Sequence, residues 1–380
     1  MERRNLFGFD EVALRAECAA MGLEPYRGTQ LFSWLYNHGT DDFDAMTDFP
    51  KTVRASLARR YRIAHPHVAG ERRSRDGTRK FVFELEDGLA VEAVLIPSEA
   101  GEGGLGGRLT LCLSTQVGCP LGCTFCATAS VKPRRNLASG EIVGQYIVAR
   151  SAAGGRITNI VYMGMGEPFL NYDAVMKSVE ILTHKATRGV GASRITISTA
   201  GIPDGIRRMA DERRTVKLAV SLHATTDEVR GRLMPVAKRY PLAEVIAAVE
   251  YYVRMAGRAV TWEYIVFEGV NDGPEDIRRL ARLARRVPCK INLIPYHPIE
   301  KIVRGGHRFR SPSREDVLAF AASLKKAGVT VMVRSSAGAD IEGACGQLAA
   351  RGFGGHCRGE TKPTERNTSL APIPRESTPT

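Results

Sequence analysis

Gly118-Cys119-Pro120-Leu121-Gly122-Cys123-Thr124-Phe125-Cys126 is the stretch on which the reading of this chain turns. Three of the eight cysteines fall here, spaced C-x3-C-x2-C. A short loop can turn three thiolates at that spacing toward one centre. Three are one short of the four that close a structural zinc site or fully ligate a four-iron cluster. Two readings follow: a zinc knuckle completed by a distant fourth ligand, or a cluster with one iron left open for a substrate. The short, unusual spacing favours the open cluster.

The loop gains meaning from what surrounds it. From Leu109 onward, short apolar runs at 109–115, 157–163, 194–198, 216–222, 260–266, 290–296 and 329–333 read as strands. Helical patterns lie between them at 139–150, 172–183, 202–210, 242–255, 274–286 and 314–327. Such alternation implies parallel βαβ units. The fold expected is α/β, a partial (β/α)6-type barrel over residues 109–350, with a doubly wound sheet as the alternative. The cysteine loop follows the first strand, at the end where such barrels carry their chemistry.

Upstream, residues 1–66 read as a small helical accessory domain. Leu31, Trp34 and Leu35 share a face in the segment 26–36. Asp48-Phe49-Pro50-Lys51 reads as a helix start. Residues 67–108 change character: 80–85 alternates as a strand, Glu86-Asp87-Gly88 turns, and 89–97 returns as a second strand carrying Glu92. A lone glutamate in that run lies at a wet edge or in a pocket. Five glycines within 100–108 read as a linker, and the Pro, Thr and Ser of 351–380 as a disordered tail.

The chain has 380 residues, 43% apolar and 25% charged, which is globular composition. No apolar run is long enough to span a bilayer, and the N-terminus lacks the apolar core of a signal peptide. Cysteines clustered rather than paired fit a reducing cytoplasm. The net charge of +13, with arginines in runs such as Arg72-Arg73-Ser74-Arg75 and Lys132-Pro133-Arg134-Arg135, points to a polyanionic partner or to solvated helix faces. Lys51, Arg54, Arg59, Arg60 and Arg62 form one such face.

Other strand ends offer further groups. Tyr162-Met163-Gly164-Met165-Gly166-Glu167-Pro168 brings glycines, which allow close backbone approach to a ligand, and a carboxylate. Ser198-Thr199 and Ser221-Leu222-His223 bring hydroxyls and an imidazole to the same barrel end. Cys112 on the first strand and Cys345 far downstream read, singly, as inert buried thiols.

C-x3-C-x2-C after the first strand of a β/α barrel resembles the radical S-adenosylmethionine (SAM) enzymes. With Val91-Glu92-Ala93-Val94, Gln116-Val117-Gly118-Cys119, Gly164-Met165-Gly166-Glu167-Pro168, Ser221-Leu222-His223-Ala224, Ile291-Asn292-Leu293-Ile294-Pro295 and Ala344-Cys345-Gly346-Gln347-Leu348, residues 26–348 are similar to the RlmN/Cfr family of RNA methyltransferases. The resemblance implies that Cys119, Cys123 and Cys126 ligate a [4Fe–4S] cluster. It implies that Gly166, Glu167, Ser198, Ser221, Leu222 and His223 contact SAM, two molecules of which are used per turnover. Cys345 would carry a methyl group as S-methylcysteine, Glu92 would accept a proton, and Cys112 would resolve a protein–RNA adduct by a transient disulfide with Cys345. His297 stands where the family has Asn before Pro, and an imidazole replaces only part of an amide's hydrogen bonding. The implied reaction is methylation at C2 of adenosine in 23S rRNA and tRNA, with C8 as the alternative used by the Cfr-like members. The implied partners are those RNAs and an electron donor such as flavodoxin, for a monomeric cytoplasmic enzyme. A zinc-bearing, non-catalytic RNA-binding module is the remaining alternative, and it gives Cys112 and Cys345 no role.

Overall fold

The computed structural model describes residues 3–98, 107–155, 157–299, 309–334 and 336–350. Most of the expected glycine linker and the whole expected tail lie outside these residues. One mixed sheet of ten strands organises the described chain. Its strands are β1 (His67–Arg73), β2 (Arg79–Glu84), β3 (Ala90–Pro97), β4 (Leu109–Cys112), β5 (Asn159–Tyr162), β6 (Ile195–Thr199), β7 (Lys217–Ser221), β8 (Val260–Val266), β9 (Cys289–Pro295) and β10 (Val331–Val333). They lie side by side in chain order. From β4 to β10 every neighbouring pair is parallel, whereas β1 to β4 pair antiparallel. The sheet is the partial barrel expected, and the doubly wound alternative falls because the strand order never reverses.

The hairpin at 80–97 is part of that sheet: Val94 of β3 sits opposite Cys112 of β4. A third antiparallel strand, β1, precedes it, which the sequence reading did not foresee. β1 is almost wholly exposed and shows no alternation to read. The expected first barrel strand also ends early, at Cys112. Beyond it Leu113 N–H still reaches β5, donating to Val161 O at 2.9 Å, and Thr115 N–H meets the loop after β5 at Met165 O, 2.8 Å.

Strand alternation divides the sheet into two faces. The outward set, including Leu111, Ile160, Ile197, Val220, Trp262 and Leu293, is fully buried. The N-terminal unit holds α1 (Glu11–Ala20), α2 (Tyr26–Ser33) and α3 (Lys51–Arg60), and the covering helices follow their strands: α4 (Ser139–Ala152), α5 (Tyr172–Thr183), α6 (Pro203–Asp211), α7 (Asp227–Leu233), α8 (Leu242–Ala256), α9 (Pro274–Arg286) and α10 (Arg314–Lys326). In α9, Leu280, Ala281 and Leu283 face the core while Arg278, Arg282, Arg285 and Arg286 stay outside it, so part of the positive charge is a solvated helix face. The inward set is polar and more open. Cross-strand register carries it from Cys112 through Ser198, Ser221 and Glu263 to Asn292.

The N-terminal unit packs against α4. Asp10 caps its first helix (Glu11–Ala20), accepting from Ala13 N–H at 2.7 Å. The segment expected as one helix over 26–36 runs from Tyr26 to Ser33 and then widens into a π turn, Trp34–His38. The buried Arg150 of α4 takes the carbonyls of Tyr36 and Asn37 at 3.2 and 3.1 Å, outside the helical ladder. The next helix is Lys51–Arg60, and Tyr61–Arg62 pair as a short strand with Arg4–Asn5.

Candidate active site

The cysteine loop is pinned at both ends. Gly118 has φ +76°, and a Cβ there would lie 2.8 Å from Lys132 O, so only glycine fits the entry to the loop. Thr124 N–H donates to Leu233 O at 2.9 Å, tying the loop to the end of α7. Phe125 fills the space beneath, edge-on to His223 at 5.0 Å and tilted against Phe267 at 5.7 Å. Burial pushes the Cys119 thiol up to about 12 and raises Cys123 and Cys126 as well. Cys126 and Cys119 also raise Cys123, and Cys126 raises Cys119. Thiols held neutral in this way ionise when a metal takes the proton's place.

Glu167 follows β5 and is 3% exposed. Its two oxygens accept from Phe169 N–H at 3.0 Å and Ala200 N–H at 2.7 Å. Burial outweighs those bonds and raises the carboxyl to about 7. Gly166 before it has φ +103°, and a Cβ there would lie 2.6 Å from the Gln116 side chain. Ser198 and Ser221 lie on the inward face, each partly exposed. His223 is held in left-handed backbone, φ +54°, by Asn271, whose amide donates to His223 O at 2.8 Å and Ile265 O at 2.7 Å. The His223 Nδ1 accepts from Ile265 N–H at 3.1 Å, leaving Nε2 to carry the proton. Burial, then the nearby Arg230, lowers this imidazole to about 3 and keeps it neutral. Leu222 is buried and donates its N–H to Glu263 O at 3.0 Å. His297 Nε2 is 2.5 Å from Ser336 Oγ, so one imidazole nitrogen is committed to a protein partner.

Cys112, Cys345 and Glu92 gather at the β3–β4 side. The Arg334 guanidinium lies 3.8 Å from Cys345 Sγ, 3.6 Å from Met163 Sδ and 3.8 Å from Glu263 Oε2. Cys345 acts on Cys112 electrostatically, and both are free thiols here. Burial, then Cys345, pushes Cys112 up to about 12. Glu92 is in a pocket, not at an edge: it is 4% exposed, and so is its partner Lys80, whose Nζ lies 3.4 Å from Glu92 Oε1. Its Oε2 accepts from Ala349 N–H at 2.9 Å. The Cys345 segment is docked on both sides of the site, since Ala127 N–H donates to Gly346 O at 2.6 Å and Thr128 Oγ1 to Leu348 O at 2.7 Å.

Lys80, Arg230, Arg334 and Glu263 are the site residues the sequence reading missed. Lys80 was visible only as the polar start of a strand. Helix α7, which carries Arg230, had a usable signal: Thr226 before Asp227 and Glu228 is a cap followed by an acidic first turn, and Thr226 Oγ1 does accept from Val229 N–H.

An inward polar lumen with a three-cysteine loop at its mouth defines a radical SAM enzyme, and residues 113–284 match the radical SAM superfamily. Residues 4–63 match the ribosomal RNA large subunit methyltransferase N-terminal domain. The chain is 41% identical to the dual-specificity RNA methyltransferase RlmN of Alkalilimnicola ehrlichii, over 91% of this chain and 94% of that one. It is 43% identical to the probable RlmN of Thermotoga neapolitana, over 91% and 97%. A crystal structure of a radical SAM methyltransferase from Sphaerobacter thermophilus superposes with a TM-score of 0.83 at 43% identity, covering 91% of this chain and 99% of that one. The chain belongs to the RlmN family of radical SAM RNA methyltransferases. The superfamily implies a [4Fe–4S] cluster and SAM. Among the described residues, no helix is long and apolar enough to cross a membrane.

Proposed function

We propose that this chain methylates C2 of an adenosine in 23S rRNA and in tRNA, through a methyl group carried on Cys345. The observation that carries the reading is the placement of Cys112, Cys345 and Glu92 on one side of a polar lumen that opens beside the cysteine loop.

The donor set fits a cluster. One loop supplies three half-buried thiols, one short of the four that fully ligate a four-iron cluster, which leaves one iron open. Cys119, Cys123 and Cys126 would hold it, with Gly166, Glu167, Ser198, Ser221, Leu222 and His223 around SAM. When bound, cluster and SAM supply the methyl group and the radical that makes it reactive.

The protein's own residues do the rest. C2 of adenine is electrophilic, so a methyl cation has nothing to join there; Cys345, as thiolate, is a competent methyl acceptor. Once the carbon is joined to the base, Glu92 takes the C2 proton. Both Glu92 oxygens are engaged with the Cys345 segment docked, so the Ala349 contact must give way for that step. Cys112 then gives up its thiol proton and attacks the Cys345 sulfur: an S–S bond forms, the S–carbon bond breaks with its electron pair going to the carbon, a proton added there completes the methyl group, and product leaves. The disulfide is reduced before the next turnover. A flavodoxin-type donor, two SAM per turnover and a monomeric state complete the reading. The target base must leave its stack to enter the lumen. Exposed Lys51, Arg59 and Arg60 on the N-terminal unit are free to meet phosphates, whereas Arg54 and Arg62 are engaged by Asp44 and Glu86.

The test is nucleoside mass spectrometry of RNA methylated from adenosine deuterated at C8. Retention of deuterium with a gain of one methyl group is expected, and its loss would place the reaction at C8. Cys345→Ala should abolish methylation while keeping the cluster's visible absorption, and full activity in that variant would sink the mechanism.

A further inference from the structure

Arg230 is wholly buried, and its surroundings do not neutralise it. Its guanidinium donates to two carbonyls, Ala200 O at 2.7 Å and Tyr240 O at 3.2 Å, and its Nε has no partner. It makes no ion pair among the described residues. The carboxylate that acts on it, Asp227, is occupied by Leu242 N–H at 2.7 Å. A buried cation without a counter-ion costs several kcal/mol, and a methionine would fill the same space without that cost. The missing negative charge is therefore to be sought in something these residues hold.

The geometry points to the cysteine loop. Arg230 lies in α7, whose last carbonyls anchor that loop through Thr124: the backbone N–H donates to Leu233 O at 2.9 Å and the hydroxyl to Arg232 O at 3.3 Å. Among the groups that act on Arg230 electrostatically, Cys123 comes ahead of Asp227, and Arg230 acts in turn on Cys123. On its other side the guanidinium grips Ala200 O, while the Ala200 N–H holds Glu167 Oε2 at 2.7 Å. Gly201, at φ +93°, keeps this approach open, since a Cβ there would stand 3.1 Å from Arg230 Nη2.

We propose that Arg230 is the built-in counter-charge of the cluster site, a positioning residue that offsets the negative charge of the thiolate-bound cluster and so sets how easily it is reduced. The inference rests on reading Cys119, Cys123 and Cys126 as cluster ligands. A four-iron cluster on three thiolates is anionic and gains one more negative charge on reduction. A fixed buried cation favours the reduced form and raises the potential, which cluster proteins tune by local charge and burial. Asp227 and Glu167 oppose that effect, and Arg230 must outweigh them.

The experiment is an EPR-monitored redox titration of the anaerobically reconstituted full chain, without SAM, for wild type, Arg230→Gln and Arg230→Lys. Iron and acid-labile sulfide are measured first. A wild type lacking both would refute the cluster reading itself and take this proposal with it. With the cluster present, R230Q should show a tenfold smaller equilibrium constant for reduction, about 59 mV lower for a one-electron couple, and R230K should stay near wild type. Equal potentials in R230Q and wild type overturn the proposal, as does an R230K shift as large as that of R230Q. If R230Q does not fold, R230K decides: a wild-type potential supports the assignment and a tenfold loss refutes it. If neither folds, Arg230 is a structural residue and the proposal falls.

Discussion

Removing the Lys80 ammonium tests whether the carboxylate expected to act as base is held by charge or by packing. Lys80 and Glu92 are each 4% exposed and 3.4 Å apart. In Lys80→Met, Glu92 keeps the Ala349 N–H but loses its only cationic neighbour among the described residues. Breaking a buried pair from one side costs roughly 3–5 kcal/mol, because the remaining charge is left uncompensated, whereas replacing both partners by apolar groups is close to neutral. K80M should therefore lose about 3–5 kcal/mol, and K80M/E92M should recover most of it. The carbonyl of Glu342, which accepts from Lys80 Nζ at 3.2 Å, adds little because Glu342 is exposed to water. Urea denaturation followed by tryptophan fluorescence in a Trp34→Phe background, which leaves Trp262, buried in the same sheet, as the reporter, reads both variants. A K80M loss below about 1 kcal/mol, or a double variant as unstable as K80M, would refute the reasoning.

Three further outcomes follow. Glu167 is an acid whose folded value, about 7, lies above its ordinary 4.5, so the folded state holds the extra proton between those values. Stability of the metal-free protein should be full below pH 4.5 and decline as pH rises toward 7, at up to about 1.4 kcal/mol per pH unit; Glu167→Gln should flatten that slope in thermal melts across the window. Arg150→Met leaves the carbonyls of Tyr36 and Asn37 without their buried donor, at roughly 1–3 kcal/mol for an unmet group. Hydrogen exchange should then rise across residues 26–38 and not in β6. Cys112→Ala should leave protein joined to RNA, seen as a slow band on a denaturing gel that nuclease collapses; free methylated product with no such band would refute the resolving role.

The barrel was legible because its strands are buried on the outer face by their own helices. Apolar runs such as Ile195–Thr199 and Lys217–Ser221 stand out when a helical pattern follows each one. β1 was not legible for the opposite reason: with neither face buried it has no pattern, and backbone pairing with β2 alone makes it a strand. The π turn at Trp34–His38 was hidden too: its Tyr36 carbonyl is met by a guanidinium 114 residues away in sequence, which no local pattern reveals.

The site divides along the same line. Candidate ligands grouped in one loop stand out by their spacing, so Cys119, Cys123 and Cys126 are singled out together before any resemblance is invoked. Glu92, Cys112 and Cys345 carry no local signal and could be picked out only through a resemblance, because what unites them is sheet register: Val94 opposite Cys112 puts Glu92 and Cys112 on one face of adjacent strands. The cations are harder still. Lys80, Arg230 and Arg334 sit among many arginines and lysines, and sequence does not distinguish a buried charge from a solvated one. Yet burial makes these the consequential ones. Lys80 is set against a carboxylate, Arg334 against a thiol and a carboxylate, and Arg230 against the cysteine loop with no carboxylate paired to it. Each stands where the proposed reaction needs an anion held, so the excess of positive charge that first pointed to RNA on the outside also supplies cations to the interior of the catalytic barrel.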